Sequence, residues 1–264
     1  MRTQSWLARK NHLIQNNKDI FLVLTHKAIK IRYKSQILGY FWSLLNPLLF
    51  TLIYYFIFSV IMKVKIENYP AFLVCGLFPW QWIGNSIGVS PGIFAGNASL
   101  IKKVNFPRNI LVQVNVAQDA FHFLLTIPVI CITLLLYGIF PSINYLWGIP
   151  LLAGIQFIFL YCISLFISTI NLFFRDTENL IRFFLMFSMY MTPVMYSADM
   201  IPAKYKGLIV LNPFAPLIIN WRSLLMEGSI SFVYVGVLLG YCVVFWMISH
   251  YVYRKLSPKF AEVL

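Results

Sequence analysis

A charge-free apolar run limits what this chain can fold into. After Lys34 the chain continues for 28 residues, as far as Lys63, without a charged side chain. A helix that crosses the ~30 Å hydrocarbon core of a membrane needs roughly 20 apolar residues. Similar runs recur along nearly the whole chain, and only 11% of its residues are charged, against about 25% in soluble domains. We therefore predict an all-α integral membrane protein.

The apolar runs predict six transmembrane helices. They lie at about 37–62, 70–95, 109–138, 146–174, 180–196 and 230–253. A further apolar piece at 207–226 is interrupted by Pro213 and Pro216 and carries Arg222, so we expect re-entrant or interfacial half-helices there, at the outer face. The chain then divides into an interface segment at 1–36 and a six-helix transmembrane domain at 37–264.

The positions of the basic residues predict the orientation in the membrane. Six spans place both termini on one side. Sixteen of the 21 Lys and Arg residues lie on that side, and five, Arg222 among them, are assigned to the other. The positive-inside rule therefore places both termini in the cytoplasm. Membrane topology thus accounts for most of the net charge of +13, which argues against nucleic-acid binding.

The stretch before the first span has an amphipathic pattern. At helical pitch its apolar stripe contains Ile20, Phe21, Leu24, Ala28 and Ile31. Away from that stripe lie Lys18, His26, Lys30 and Arg32. The pattern predicts a basic amphipathic helix in the cytoplasmic membrane interface. The helix either anchors the chain only or also docks a cytoplasmic partner, and the pattern leaves both open.

Motifs for ATP hydrolysis and for metal or nucleophilic catalysis are absent from the sequence. The chain has no Gly-x-x-x-x-Gly-Lys-Ser/Thr phosphate loop, no His-Glu-x-x-His and no Gly-x-Ser-x-Gly. The four cysteines lie inside apolar runs without metal-ligand spacing, which is typical of small core residues. We expect no metal site and no enzymatic activity in this chain by itself.

Asp119 is the one acidic residue that lies well inside a predicted span, and His122 follows it by one helical turn. An ionisable residue at membrane depth indicates a functional site, here a proton relay. The other interpretation is a residue near the cytoplasmic end that is hydrated or paired locally. A single acid without a second carboxylate argues against a proton-coupled carrier and against a membrane-embedded enzyme.

Several short motifs occur in a fixed order. They are RYKSQILG at 32–39 with Asn46-Pro47 after it, GLFPW at 76–80, KKVNFPR at 102–108, FRD at 174–176, TPVMY at 192–196 and LNPFAP at 211–216. In this order and spacing the chain resembles the permease subunits of ABC exporters of the polysaccharide and polyol-phosphate export family, of the ABC-2 type. The resemblance covers nearly the whole chain.

The resemblance implies a half-transporter. Two copies of the chain would pair, and each would dock a cytoplasmic nucleotide-binding ATPase that binds ATP and Mg, so this chain itself needs no cofactor. The implied cargo is a lipid-linked polysaccharide of the O-antigen type, exported across the bacterial inner membrane. The alternative is an exporter of a drug or a small lipid on the same fold.

The resemblance also implies where the ATPase docks. A coupling helix would run from Ser99 to Arg108 within the loop 96–108 and end at Pro107, with Lys102, Lys103 and Arg108 facing the cytoplasm. The implied coupling residues are Leu100, Lys102, Lys103, Asn105, Phe106, Pro107, Arg108, Arg175 and Asp176. An ordinary basic loop is the other interpretation of the first segment. Arg175 and Asp176 would either cap a helix or contact the partner.

An aromatic-lined conduit and an outer gate complete the implied site. Rings with one polar tip would let a glycan slide along them, and the implied lining residues are Tyr40, Phe41, Trp42, Tyr54, Tyr55, Trp80, Trp82, Tyr190 and Tyr196. The gate region would span 197–228 with Pro202, Pro213 and Pro216. A simple re-entrant lid is the other interpretation of that region.

Overall fold

The computed structural model describes residues 17–31, 41–61, 63, 66–104, 106–205 and 207–264. Helix α1 covers 17–31, and α2 (Phe41–Tyr55) continues as a π-helix (Phe56–Ile61). The helices that follow are α3 (Tyr69–Val89), α4 (Ile93–Gly96), α5 (Ala98–Lys103), α6 (Ile110–Leu136), α7 (Tyr145–Phe173), α8 (Thr177–Met191), α9 (Leu208–Leu211), α10 (Ala215–Glu227), α11 (Phe232–Leu256) and α12 (Phe260–Val263). The described residues form no β-strand, which confirms the all-α class.

Three helices are long and apolar enough to cross a membrane within the described ranges. They are α6, α7 and α11, the last with its 3₁₀ extension to Lys259. The other three predicted spans coincide with α2 and its π-helical end, with α3 and with α8. The chain is thus a multi-pass membrane protein, while the count of six crossings stays a prediction.

Helix α3 lies at the centre of the bundle. It packs against α2, α6, α7, α8 and α10, and α7 packs along α11. Residues from every side of α3 are buried, including Leu73, Phe78 and Ile83. A helix that is apolar all round is one that other helices enclose. The core therefore forms around α3, and α2, α6, α8 and α11 carry exposed apolar faces.

Polar side chains of α7 bind backbone carbonyl groups of α3 and of the 3₁₀ turn Ser90–Gly92 that follows it. The four contacts run from Gln156 to Pro79 (3.1 Å), Ser164 to Ser86 (3.4 Å), Ser168 to Ser90 (2.7 Å) and Asn171 to Pro91 (2.9 Å). Proline has no N–H to donate to the carbonyl group four residues earlier. At Pro91 that carbonyl belongs to Ile87, and the Ser90 hydroxyl donates to it at 2.7 Å.

The interrupted piece at 207–226 forms two helices, α9 and α10, on either side of Pro213. Helix α10 is enclosed by the core, with Trp221, Leu224 and Leu225 all 0% exposed. Arg222 on this helix is only 9% exposed. The guanidinium of Arg222 is therefore held inside the protein, while its place on the outer side of the membrane stays a prediction.

Gly228 ends α10 with a φ of +68°, a left-handed conformation that suits glycine. A Cβ at this position would lie 2.5 Å from the Cβ of Ser142. The Asn144 side chain donates to the Gly228 carbonyl oxygen at 2.7 Å. These contacts fix the end of α10 against the start of α7.

Candidate functional site

The candidate coupling helix α5 is short and has one buried face. Ile101 is buried and Leu100 is half-buried, both in a second hydrophobic cluster, while Lys102 and Lys103 are exposed. The helix ends at Lys103 because Val104 adopts an extended conformation, with φ −125° and ψ 132°. The prediction of a helix that continues to Arg108 is therefore wrong.

Pro107 was predicted to end the coupling helix. Instead it lies after that helix and just before α6. The Ile110 N–H donates to the Pro107 carbonyl oxygen at 3.0 Å, which forms the first turn of the helix entry. Pro107 itself is exposed. Asn105, the remaining predicted coupling residue of this loop, lies outside the described residues.

Helix α1 packs against the same cluster as α5. Four residues of the predicted stripe, Ile20, Phe21, Leu24 and Ala28, contact this cluster, whereas Ile31 is 58% exposed. On the opposite face lie the exposed residues Lys18, His26 and Lys30. The structure confirms the helix and most of its stripe. We call the joint exposed surface of α1 and α5 the α1–α5 surface.

Arg108 was predicted to face the cytoplasm, but the structure turns it inward. It is half-buried, its guanidinium donates to the carbonyl oxygen of Ser257, and it lies 5.5 Å from the centre of the Phe260 ring. A planar guanidinium is well suited to stacking on an aromatic face. Phe106 is also turned inward, at 9% exposure. Both residues therefore hold the loop after α5 against the helix bundle, with their side chains turned inward.

Phe260 anchors the C-terminal residues beneath the coupling loop. It is 0% exposed, and its ring centre lies 4.8 Å from Phe94, 6.0 Å from Tyr253 and 6.2 Å from Phe173. The Asn109 N–H donates to the Tyr253 hydroxyl at 3.2 Å. The end of the chain thus supports the loop between α5 and α6, which no local pattern in the sequence predicts.

Arg175 and Asp176 lie exposed in the turn between α7 and α8. Asp176 occupies the N-cap position of α8, but its side chain makes no capping hydrogen bond. Its charge, with that of Glu178, suits the positive end of the helix dipole. Arg182 pairs with Glu178 at 2.5 Å one turn further along. Contact with a partner stays a prediction for Arg175 and Asp176.

Three of the predicted conduit tyrosines come together at the ends of α2 and α8. The Tyr196 hydroxyl donates to the Tyr190 carbonyl oxygen at 3.1 Å, and Tyr54 lies in the neighbourhood of Tyr190. Tyr190 is 61% exposed and the neighbouring Tyr55 is 39% exposed. These rings lie on the surface of the single chain, on the side formed by α2 and α8.

The predicted conduit tryptophans are core residues of the single chain. Trp80 is 6% exposed and meets Phe214 edge-on at 5.7 Å, while Trp82 is 2% exposed and stacks on Phe123 at 5.3 Å. Neither indole reaches the surface that carries the tyrosines. Tyr40 and the side chains of Phe41 and Trp42 lie outside the described part of the chain.

Asp119 and His122 are both buried inside the bundle, at 5% and 7% exposure. The Ser86 hydroxyl of α3 donates to the Asp119 carboxylate at 2.9 Å, and the Asn115 amide donates to the Ser86 carbonyl oxygen at 3.4 Å. This pairing between α3 and α6 favours the interpretation of a locally paired residue. No group of three or more potential metal ligands occurs among the described residues.

At the opposite end of the bundle, Arg222 holds the turn that follows α8. Its guanidinium donates to the carbonyl oxygens of Pro193 at 2.9 Å and Val194 at 2.8 Å, and lies 3.6 Å from the centre of the Phe72 ring. A Cβ at Gly76 would lie 2.6 Å from the guanidinium, so glycine is needed there. The sequence places Arg222 on the half-helices at the outer face but does not predict these contacts.

The same turn is held from two further directions. The Tyr69 hydroxyl donates to the Met195 carbonyl oxygen at 2.8 Å, and the Asn212 amide donates to the Thr192 hydroxyl at 2.9 Å. Three of the ordered motifs, at 76–80, 192–196 and 211–216, therefore meet at one place. We call this set of contacts the Arg222 clamp.

The three predicted gate prolines are distributed over different environments. Pro202 is exposed, Pro213 is half-buried and Pro216 is buried at the start of α10. Two 3₁₀ turns, Ala198–Met200 and Ala203–Tyr205, precede α9 in this region. The structure shows the irregular short helices that were expected, while their role as a gate stays a prediction.

The comparisons with known proteins agree with this arrangement. A model of the ABC-2 type transporter family matches residues 20–226. The chain belongs to the ABC-2 type transporter family. It is 46% identical over 246 residues to an O-antigen export system permease protein of Klebsiella pneumoniae, which covers 93% of this chain and 95% of that protein.

More distant relatives cover a similar share of the chain. An O-antigen export system permease protein of Myxococcus xanthus is 28% identical over 215 residues, which is 80% of this chain and 81% of that one. A polysialic acid transport protein of Escherichia coli is 24% identical over 233 residues, or 86% and 87% of the two chains. The likeness to these relatives thus covers most of the chain.

The Phe260 anchor predicts a large effect of a small truncation. In Phe260→Ala we expect the free energy of unfolding to fall by about 3 kcal/mol, because the lost ring leaves a cavity in a fully buried site. Hydrogen exchange at residues 106–110 should rise with it. Phe232→Ala, at a ring that is 68% exposed, is the control. Unchanged exchange at 106–110 in Phe260→Ala would contradict the anchoring role.

The Arg222 clamp predicts that lysine cannot replace this arginine. A lysine lacks the planar fork that binds two carbonyl groups at once, so one buried carbonyl loses its partner at a cost of about 1–3 kcal/mol. We expect a lower thermal unfolding midpoint in detergent for Arg222→Lys. Arg182→Lys, in an exposed i,i+4 pair, should leave the midpoint unchanged. Equal midpoints for the two variants would rule out the clamp.

Proposed function

We propose that this chain is the transmembrane permease of an ATP-driven exporter that moves a lipid-linked polysaccharide of the O-antigen type across the bacterial inner membrane. The observation that carries the proposal is the 46% identity to an O-antigen export permease along 93% of the chain. The names of the more distant relatives, an O-antigen export permease and a polysialic acid transport protein, also refer to polysaccharides. They favour a polysaccharide over a drug or a small lipid as the cargo.

In the proposed exporter the α1–α5 surface docks a cytoplasmic ATPase, which binds the ATP and Mg. Lys102 and Lys103 are exposed on α5, and the helix is held from behind by the cluster that also includes α1. A short helix with a rigid support transmits displacement better than a mobile loop does. Arg175 and Asp176, exposed in the neighbouring turn before α8, are part of the same contact. Both termini then lie in the cytoplasm.

The proposed path for the glycan lies between two copies of the chain. Tyr54, Tyr55, Tyr190 and Tyr196 are on the α2 and α8 side of the single chain, so a second copy on that side would enclose them. Flat rings stack on sugar faces much as they stack on successive bases, without selecting one residue type. Their hydroxyl groups supply polar contacts at low entropic cost. The region 197–228 is the gate at the outer end.

Cells that lack the gene test the proposal. Mass spectrometry of their lipid extract should show long, finished polysaccharide on a lipid carrier, together with loss of the same glycan from the cell surface. Restoring the gene should reverse both changes. A normal surface glycan without intracellular accumulation would refute polysaccharide export and support the drug or small-lipid alternative.

Charge reversal on α5 tests the docking site. In Lys102→Glu/Lys103→Glu we expect the association rate with the purified ATPase to fall about tenfold at low salt and by less at high salt, because exposed charges act mainly on encounter and are screened. Association is measured by surface plasmon resonance at both salt concentrations. Lys204→Glu, at an exposed residue of the outer region, is the control. An equal loss in this control would refute a docking site on α5.

Neutralising Asp119 tests the proton-relay interpretation. Asparagine cannot ionise but can still accept the hydrogen bond from Ser86, so we expect Asp119→Asn to keep surface glycan within about twofold of wild type. A proton carrier would lose transport entirely, because the titrating group is gone. The measurement is quantitative glycan labelling at the cell surface, with protein amount checked by immunoblot. Complete loss at a normal protein amount would favour the relay.

A further inference from the structure

A cavity of about 630 Å³ lies between α1, the end of α3, α4, α5 and the start of α6. Its size falls within the usual range of small-molecule sites, roughly 300–1,000 Å³. It separates α1 from the first turns of α6 on the side of the bundle that also carries the α1–α5 surface. None of the contacts described for the conduit, the Phe260 anchor or the Arg222 clamp involves this cavity.

The rim of the cavity is cationic. Lys27 of α1 and Lys103 of α5 both line it, and both are exposed. Among the described residues, neither lysine has an ion-pair or cation–π partner. No acidic residue occurs among the lining residues. Asp119, which also lies on α6, accepts a hydrogen bond from Ser86 instead. An anionic group at the rim would therefore meet two uncompensated positive charges.

Deeper in the cavity lie amide side chains of α6. Asn115 and Gln118 line it, and both are half-buried. Gln118 lies eight residues into α6, at a depth of about 12 Å along the helix. Its amide group has no hydrogen-bond partner among the described residues. A polar side chain at membrane depth normally faces the bundle interior or a wet cavity, so these amides indicate a cavity that receives polar groups.

The remaining walls are apolar. They include Leu24, Ile93, Leu111 and Val114, all of which are at least half-buried. The rim of lysines, the amides below it and the apolar walls together match an amphiphile with an anionic head and a hydrocarbon chain. A soluble anion has no apolar part to pack against such walls. A basic peptide segment would be repelled by the two lysines, because the cavity lining contains no carboxylate to pair with its own basic residues.

We propose that this cavity binds the phosphate headgroup of a membrane lipid, with Lys27 and Lys103 at the phosphate and the lipid chain along the wall of α6. The inference rests on the proposed function in one respect, namely the position of α1 in the cytoplasmic membrane interface. At that position the rim lies at the depth of lipid phosphates. The chemistry is shared by glycerophospholipids and by phosphate-linked glycan carriers.

Lipid binding to the purified complex of permease and ATPase tests the site. The complex is placed in phosphatidylcholine nanodiscs with either phosphatidylglycerol or a polyprenyl phosphate as the minor lipid. Native mass spectrometry then counts the phosphate lipid that stays bound. In Lys27→Gln/Lys103→Gln we expect an affinity about 30-fold lower, from the usual contribution of two lysines near lipid phosphates. Preference for one minor lipid identifies the source, and binding of either supports the site.

Lys255→Gln/Lys259→Gln is the matched control. It removes the same charge from the same end of the bundle, at exposed lysines that neither line the cavity nor belong to the α1–α5 surface. Because the complex is already embedded in the nanodisc, we expect its lipid affinity to stay within about threefold of wild type. Equal losses in the two double variants would overturn the inference, since they would indicate general attraction to the bilayer. Displacement by inorganic phosphate alone would also overturn it.

A second variant blocks the cavity without changing charge. A Cβ at Gly96 meets no heavy atom within 4 Å, and Gly96 lines the cavity. Gly96→Leu should therefore place a bulky side chain at the cavity wall and lower lipid retention while both lysines remain. Retention at the wild-type level in this variant would refute the site even if the lysine variant failed to assemble.

The two proposals fail in different ways. If cells without the gene accumulate polysaccharide but the wild-type complex retains no phosphate lipid, the lipid site is wrong and polysaccharide export stands. If the wild-type complex retains the lipid but the deletion leaves surface glycan normal, the site stands and the exported cargo is wrong.

Discussion

The structure depends on how α7 satisfies the backbone of α3. Inside a membrane no water replaces a missing hydrogen bond, so a helix can stop or bend only where protein groups bind the freed carbonyls. Gln156, Ser164, Ser168 and Asn171 bind carbonyl groups of α3 and of the turn after it. The carbonyl freed by Pro91 is that of Ile87, and the Ser90 hydroxyl binds it. Helix α3 can therefore end at Val89 and lead into α4 and α5. The contacts from α7 hold the turn after which α5, the candidate coupling helix, begins.

Helix α3 also connects the two ends of the bundle. Its C-terminal end leads to α5, while Tyr69, Phe72 and Gly76 near its N-terminal end form part of the Arg222 clamp. A helix of 21 residues spans about 30 Å, close to the hydrocarbon thickness. In the proposed topology α3 thus joins the ATPase-docking helix to the outer turn after α8. A packed helix of this kind moves as a unit, since its core contacts resist local deformation.

Much of the fold could be predicted from the sequence, because apolar length and helical periodicity are local signals. The six apolar runs coincide with helices of the described chain, and the stripe from Ile20 to Ala28 is buried as its period indicates. The errors have a common physical origin in long-range contacts. Arg108 was assigned to solvent, but its partners Ser257 and Phe260 are about 150 residues away. The contacts of Arg222 were missed for the same reason, since its partner carbonyls lie in the turn after α8 and not on its own helix.

The aromatic residues show the same limit. A ring in an apolar run has the same local pattern whether it packs in the core, as Trp82 does against Phe123, or reaches the surface, as Tyr190 does. The structure separates the two groups. Among the predicted conduit residues whose side chains the structure describes, the tyrosines lie on the side of α2 and α8, whereas Trp80 and Trp82 brace α3 against Phe214, just before α10, and against Phe123 of α6. Rings that stabilise the core and rings at the surface of α2 and α8 are therefore different residues, so a substitution at Tyr55 or Tyr190 leaves the core contacts of Trp80 and Trp82 in place.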